Sequence, residues 1–280
     1  MKYVSFYDGD RVRPGLIDGD CVTVIACDSL VDYIALPPEH RTQHHTIERL
    51  PLADVRLAAP VRPRKNVFCV GRNYLEHAKE GARALGRELK LPDVPTYFSK
   101  ATTAIADPGA NLHFDATLSQ EYDWEAELAV VIGKRVKNAT EHTAMDAVFG
   151  YTCLNDITAR DLQRAHLQWL KGKSVDESCP IGPWIADKDE VGDPQRLQIS
   201  LRINGQKKQE ANTGQMIFRI PRIIADLSRG LTLEPGDVIA TGTPDGVGFA
   251  RTPPEFFKHG DVVEISIQKI GTLSNSVFIT

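Results

Sequence analysis

Three carboxylates in neighbouring segments carry the first chemical signal. The run Glu121-Tyr122-Asp123-Trp124-Glu125-Ala126-Glu127-Leu128 alternates apolar and acidic residues. On a strand, that alternation turns Tyr122, Trp124, Ala126 and Leu128 one way and Asp123, Glu125 and Glu127 the other. Successive acids on the second face then stand about 6.5 to 7 Å apart. Carboxylates held that close repel and raise each other's pKa. A hard divalent cation removes this cost and prefers oxygen ligands, Mg²⁺ at about 2.1 Å. A solvated strand face carrying surface acids fits the same spacing, and both readings stay open here. A further acid, Asp156, follows the apolar stretch Val148-Phe149-Gly150-Tyr151-Thr152-Cys153-Leu154. An acid ending a buried strand is costly unless it is paired or bound to metal. Two Glu and one Asp would leave half of an octahedral Mg²⁺ shell for water or a bidentate ligand. Asp156 serves equally well as the N-cap of a helix beginning near Thr158.

His77 and Glu80 form a second candidate pair. On a helix, residues three apart share a face, and a carboxylate partner orients an imidazole and raises its basicity. An exposed polar helix face is the plainer alternative. Lys171-Gly172-Lys173-Ser174 invites a phosphate-binding reading, but no upstream Gly-x-x-x-x-Gly-Lys accompanies it. Gly242-Thr243-Pro244-Asp245-Gly246-Val247-Gly248 reads as a tight turn or as a loop whose backbone approaches a small ligand. No Gly-x-Ser-x-Gly elbow is present, which disfavours a covalent serine hydrolase. The five cysteines are scattered and form no Cys-x-x-Cys, so structural zinc and a disulfide framework are disfavoured. His44-His45 lies in a polar stretch and reads as surface.

The elements that must position these side chains are mainly strands. Cys21–Ile25, Val67–Gly71, 122–132, Leu197–Ile203, Val238–Thr241 and Val262–Ile267 carry strand patterns. Asn204-Gly205 after the fourth of these predicts a tight hairpin. Helices are expected over Tyr74–Leu85, Glu141–Phe149, Ala159–Leu170 and Ile220–Leu227, with Asn138 and Glu141 marking a helix start. The connector Pro60-Val61-Arg62-Pro63-Arg64 places a boundary near residue 62, dividing a small unit, 1–62, from a larger one, 63–280. Strands and helices do not alternate regularly, which argues against a doubly wound parallel sheet. With Lys+Arg 33 against Asp+Glu 37, the net charge of −4 argues against a nucleic-acid or anionic-membrane partner. No apolar run approaches the roughly 20 residues of a membrane span. The first residues lack a secretory pattern, so the expected location is cytoplasmic.

Taken in order, these segments resemble the fumarylacetoacetate hydrolase family, in particular its acylpyruvate-cleaving members. The matching pieces are Val70-Gly71-Arg72-Asn73-Tyr74 through Glu80, Tyr97-Phe98-Ser99-Lys100, Tyr122 through Leu128, Gly150-Tyr151-Thr152, Asn155 through Gln163, Gly172 through Asp176, Pro180 through Trp184, and Pro235 through Pro244. Ala101-Thr102-Thr103 stands where family members often have proline, and 81–94 matches poorly. The resemblance implies a mainly β fold with some α, a mixed β-sandwich roll with a small N-terminal α/β domain, assembled as a homodimer. It implies Glu125, Glu127 and Asp156 as ligands of Mg²⁺, with Mn²⁺ or Ca²⁺ as alternatives. His77 and Glu80 become a water-activating dyad on a lid, and Lys173 the catalytic cation facing substrate oxygens. Arg72, Arg160, Gln163, Gly242 and Thr243 become substrate contacts. The implied reaction is hydrolysis of a C–C bond in an acylpyruvate through a metal-stabilised enolate. Isomerisation of a 2-hydroxyhepta-2,4-diene-1,7-dioate or decarboxylation of oxaloacetate at the same centre are the alternatives. A non-catalytic protein that binds metal and dicarboxylate is the alternative of a different class.

Overall fold

The computed structural model describes residues 1–86 and 88–280. Two sheets dominate. The larger has twelve strands. Its centre runs in the order Lys2–Asp8, Cys179–Asp187, Val148–Asn155, Ala126–Ile132, Val238–Ala240, Val67–Gly71 and Thr96–Lys100. Beyond Lys2–Asp8 it continues through Arg11–Asp18, Cys21–Ile25 and His45–Pro51. The N-terminal strands are therefore continuous with the main sheet, joined where Lys2 pairs with Ala186 and Tyr3 with Ile185. The smaller sheet has five strands, in the order Gln206–Asn212, Gln198–Ile203, Val262–Ile267, Gly271–Ile279 and Asn111–Phe114. Among the described residues no sheet closes into a barrel, and the fold is mainly β, as the resemblance implied.

The strand Ala126–Ile132 shows how the layers meet. Leu128, Val130 and Ile132 pack with Ile199, Leu201, Ile265 and Leu273 of the smaller sheet. Ala129 and Val131, pointing the other way, pack with Val67, Cys69, Leu30 and Ile34. Both faces are covered, so the strand is apolar apart from Glu127 and its seven residues are all buried.

Several sequence expectations hold locally. The helix over 74–85 appears as Leu75–Ala84, and that over 220–227 as Ile220–Ser228. The hairpin forms around Asn204 and Gly205, both at positive φ, 50° and 76°. Other expectations are corrected. The strand over 122–132 is two: Tyr122–Asp123 pairs with Thr158–Ala159, and Ala126–Ile132 enters the large sheet, with a break at Trp124 and Glu125. The helix over 141–149 reduces to a 3-10 turn, Ala144–Ala147, because Val148 and Phe149 open a fully buried strand. Asn138 caps no helix. At φ +57° its side-chain oxygen accepts from Gly230 N–H, fastening a turn to the end of the last long helix. The helix over 159–170 splits into Arg160–Ala165 and Leu170–Lys173.

Candidate metal centre

The break at Trp124–Glu125 and the strand Val148–Asn155 build the centre together. Ala126 pairs with Asn155 across the sheet. Just beyond that pair, Asp156 N–H donates to Glu125 O at 2.9 Å, and Glu125 N–H donates to Asn155 Oδ1 at 3.1 Å. One oxygen from each of Glu125, Glu127 and Asp156 then lies within 4.8 Å of the others. Their exposures are 4%, 1% and 0%, so the acids do not line a solvated face. Nor does Asp156 cap a helix: a short strand follows it, and its carboxylate turns toward lysines.

Three buried cations answer these acids. Lys173 Nζ donates to Glu125 Oε2 at 2.8 Å and to Asp156 Oδ2 at 2.6 Å. Lys100 Nζ lies 2.9 Å from Asp156 Oδ1 and donates to Ile157 O at 2.9 Å. Arg160 Nε donates to Asp123 Oδ2 at 2.8 Å, and its NH2 lies 2.7 Å from Glu125 Oε1. Asp123 has left the row of acids. Both its oxygens are taken up by Arg160 and by the N–H groups of Trp124, Gly248 and Phe249, so it ties the glycine-rich loop to the centre.

Four buried acids thus face three buried cations, and the excess charge falls on Glu127. Among the described residues Glu127 has no ion-pair partner; Gly242 N–H donates to its Oε2 at 2.7 Å. Burial, with Asp156 and Glu125 beside it, pushes its carboxyl well above the usual range. Burial acts the same way on Glu125, but there Lys173, Arg160 and His77 outweigh it and hold the carboxyl below the usual range. Burial alone would lower Lys173, but Asp156 and Glu125 keep its ammonium charged. Asp156 Oδ1 accepts no hydrogen bond despite the nearby lysine. An all-oxygen donor set with uncompensated charge and a free oxygen fits a hard divalent cation.

His77 and Glu80 stand beside this centre. His77 Nδ1 and Glu80 Oε1 are 2.9 Å apart, and Glu80 Oε2 accepts from Gly246 N–H at 2.9 Å. The helix face predicted from their spacing exists, and it is largely buried rather than solvated. Gly242, at φ +100°, brings its N–H to Glu127; a β-carbon there would stand 2.6 Å from Asn73 Cβ. Asn73 in turn donates to Thr241 O and Phe218 O, fixing the loop against the start of the dyad helix. Gly172 permits the two short helices to touch, since a β-carbon would lie 2.6 Å from Gln163 N. That close approach, not phosphate binding, explains the Lys-Gly-Lys run.

The remaining candidates are spread more widely. Arg160 is held by Asp123, Glu125 and Gln163 Oε1, although its NH2 makes no hydrogen bond, and its guanidinium lies 4.4 Å from the Phe249 ring. Gln163 faces that guanidinium. Thr243 is buried, with its Oγ1 accepting from Gln209 Nε2 at 2.8 Å. Arg72 is exposed at φ +56°, its guanidinium 6.0 Å from the Trp169 ring. Trp169 packs edge-on against Phe98, and Lys173 Nζ lies 4.9 Å from the Phe98 ring. Sequence reasoning quoted Phe98 and Lys100 within a matching segment but gave them no role, and it passed over Gln209 and Trp169. A lysine at a strand end and a glutamine within Lys207-Lys208-Gln209-Glu210 carry no local sign of burial.

The fold and the centre together define a mainly β protein, with a buried carboxylate cluster that could hold a metal ion between two sheets and a histidine–glutamate pair at its edge. Residues 66–278 match the family model described as fumarylacetoacetate (FAA) hydrolase C-terminal, and the chain belongs to that family of enzymes. Residues 1–60 match the model Rv2993c-like, N-terminal. Oxaloacetate tautomerase YisK of Bacillus subtilis (strain 168) is 45% identical over 227 residues, covering 81% of this chain and 74% of that protein. The structure of fumarylacetoacetate hydrolase (EaFAH) from psychrophilic Exiguobacterium antarcticum superposes with a TM-score of 0.87 at 38% identity, covering 100% of both chains. That of 5-carboxymethyl-2-hydroxymuconate delta-isomerase from Mycobacterium smegmatis gives 0.84 at 35%, again over 100% of both. Among the described residues, no helix is long and apolar enough to cross a membrane.

Proposed function

We propose that the protein is a Mg²⁺-dependent tautomerase that interconverts the keto and enol forms of a 2-oxo dicarboxylic acid of the oxaloacetate kind. Glu125, Glu127 and Asp156 would hold the cation. The observation that carries the reading is the buried three-carboxylate cluster with its uncompensated charge at Glu127, set beside His77. The 45% identity to an oxaloacetate tautomerase points to the reaction class. When bound, the cation supplies positive charge that favours the enolate form of a chelating 2-oxo acid.

The chain's own groups supply the proton movements. Glu80, itself held by Gly246 N–H, accepts the Nδ1 proton of His77 and leaves Nε2 as the base. Towards the enol, Nε2 takes a proton from the carbon beside the keto group and the resulting imidazolium gives it to the keto oxygen; in the reverse direction the proton passes from that oxygen back to the carbon. Lys173 has three N–H donors, two of them given to Glu125 and Asp156. The third is available to a substrate oxygen as negative charge develops. Arg72, exposed and without an ion pair among the described residues, is the cation for a second carboxylate. Gly242, Thr243, Arg160 and Gln163 complete the lining in this reading. Residues 1–62 would be a small N-terminal unit whose strands extend the main sheet, a division supported by the two family matches meeting between residues 60 and 66.

The same His77–Glu80 pair can activate water, which keeps acylpyruvate hydrolysis as a second reading, and the full-length similarity to a fumarylacetoacetate hydrolase favours it. One experiment separates them. Enol absorbance of oxaloacetate is followed with Mg²⁺ and with chelator, while acylpyruvates are assayed in parallel for released pyruvate. Enol loss that needs Mg²⁺ and falls about a hundredfold or more in His77→Ala is the expected result. Pyruvate release without accelerated tautomerisation would replace the proposal with the hydrolase.

A further inference from the structure

Gln209 reaches the centre from the other sheet. It lies on the strand Gln206–Asn212, past the Asn204-Gly205 turn, where a register shift leaves it opposite Leu201 and turned inward. It is 1% exposed in a segment where Lys207 and Glu210 are exposed and Lys208 is half-buried. Every polar atom of its amide is used. Ala126 N–H donates to Oε1 at 2.9 Å, and Nε2 donates to Pro244 O at 2.7 Å and to Thr243 Oγ1 at 2.8 Å.

Chemistry dictates which way this amide points. The Ala126 N–H is a donor and must meet the amide oxygen; the Pro244 carbonyl is an acceptor and must meet the NH₂. Thr243 Oγ1 is therefore the acceptor of the remaining N–H. Its own proton is left with no acceptor among the described residues, although Thr243 is only 2% exposed. A buried donor without an acceptor is costly, and such groups mark places where a ligand completes the bonding. The neighbouring Gly242 N–H already points at Glu127, so the hydroxyl stands at the edge of the acid centre.

We propose that Gln209 is a positioning residue: by donating to Thr243 Oγ1 it makes the threonine hydroxyl a dedicated donor to an anionic oxygen of the bound 2-oxo acid. The inference rests on the reading of the site as one for 2-oxo acids and adds a requirement to it. The ligand must place a carboxylate or enolate oxygen against Thr243, and the group that enforces this comes from a strand that touches no substrate.

Isothermal titration of the Mg²⁺-loaded protein with oxalate, which offers carboxylate and enolate-like oxygens, tests it. The proteins are wild type, Gln209→Glu, Gln209→Met, Thr243→Val and the double variant Gln209→Glu/Thr243→Val. In Gln209→Glu the new carboxylate still accepts from Ala126 N–H but presents an oxygen to Thr243, whose proton then turns away from the ligand. Loss of a hydrogen bond to a charged acceptor should weaken oxalate about tenfold or more in Gln209→Glu and equally in Thr243→Val. The double variant should be no weaker than Thr243→Val, because Gln209 acts through that hydroxyl. Gln209→Met, which adds no charge, should weaken oxalate about threefold while Mg²⁺ affinity holds, and should lower the unfolding midpoint because Ala126 N–H and Pro244 O lose their partners. Losses that multiply in the double variant, or Gln209 variants that bind oxalate as wild type does, would overturn the inference and leave the functional reading standing. Wild-type protein that binds Mg²⁺ but no oxalate would end both.

Discussion

Replacing Glu127 with glutamine separates the charge of this side chain from its shape. Without a cation, Glu127 is a buried carboxyl pushed well above its ordinary pKa of 4.5 by burial, Asp156 and Glu125. The shift favours its neutral form, which resembles glutamine in shape and charge. The amide introduced by Glu127→Gln keeps an oxygen for the Gly242 N–H that Glu127 Oε2 accepts at 2.7 Å. Stability in chelator should then change by no more than about 0.5 kcal/mol. With metal the two proteins diverge. At a Mg²⁺ concentration of about a hundred dissociation constants, wild type gains about 2.7 kcal/mol. Loss of a charged ligand weakens binding by about a hundredfold or more, extrapolating from the 10- to 100-fold cost of an outer-shell partner. The variant then gains only about 0.4 kcal/mol at the same concentration. The difference, about 2.3 kcal/mol, corresponds to about 5 °C in unfolding midpoint for a chain of this size. Thermal unfolding in chelator and in Mg²⁺ measures both terms. A variant that loses several kcal/mol in chelator, or that Mg²⁺ stabilises as much as wild type, would refute the assignment of the excess charge to Glu127.

Four further outcomes follow from the same contacts. Because the folded-state pKa of Glu127 is raised, the metal-free protein binds more protons than the unfolded chain above pH 4.5. Its stability should fall as pH rises from there through the raised value, and Glu127→Gln should lack that slope in urea titrations. Mg²⁺ binding should release a proton in the same window, read by calorimetry in buffers of different ionisation enthalpy. Lys100→Met leaves Asp156 Oδ1 without the ammonium 2.9 Å away, in a place with no solvent. Breaking a buried pair this way should cost about 3–5 kcal/mol in equilibrium unfolding; a loss under about 1 kcal/mol would show that the pair is not coupled. Gly242→Ala combines φ +100° with a β-carbon 2.6 Å from Asn73 Cβ. It should destabilise by about 2 kcal/mol or more and weaken Mg²⁺ binding through the displaced N–H, both measurable in one melting series.

How far the site was legible in the sequence depends on the range of the contact. Glu125 and Glu127 lie two apart on extended chain, and His77 and Glu80 three apart on a helix. In both cases the backbone period alone puts the side chains on one side. Asp123 obeyed the same rule on paper and departs from it because the chain breaks at Trp124 to start a different strand. Arg160 is held by Asp123, Glu125 and Gln163, a set spread over forty-one residues (123 to 163) of chain that no local period brings together.

The amino-acid order by itself determined the chemical kinds present, the hairpin at Asn204-Gly205, the helix carrying His77, and a mainly β architecture, since each follows from side-chain period and turn chemistry within a few residues. Only the tertiary structure decided that Asp156 joins the two glutamates, that Lys100 and Lys173 close on them from both sides, and that Gln209 crosses from the second sheet to Thr243. Those contacts depend on strand register and on which faces are sealed from water. Burial then sets the charge balance, because removing solvent is what makes one unmatched carboxylate among four acids and three cations matter.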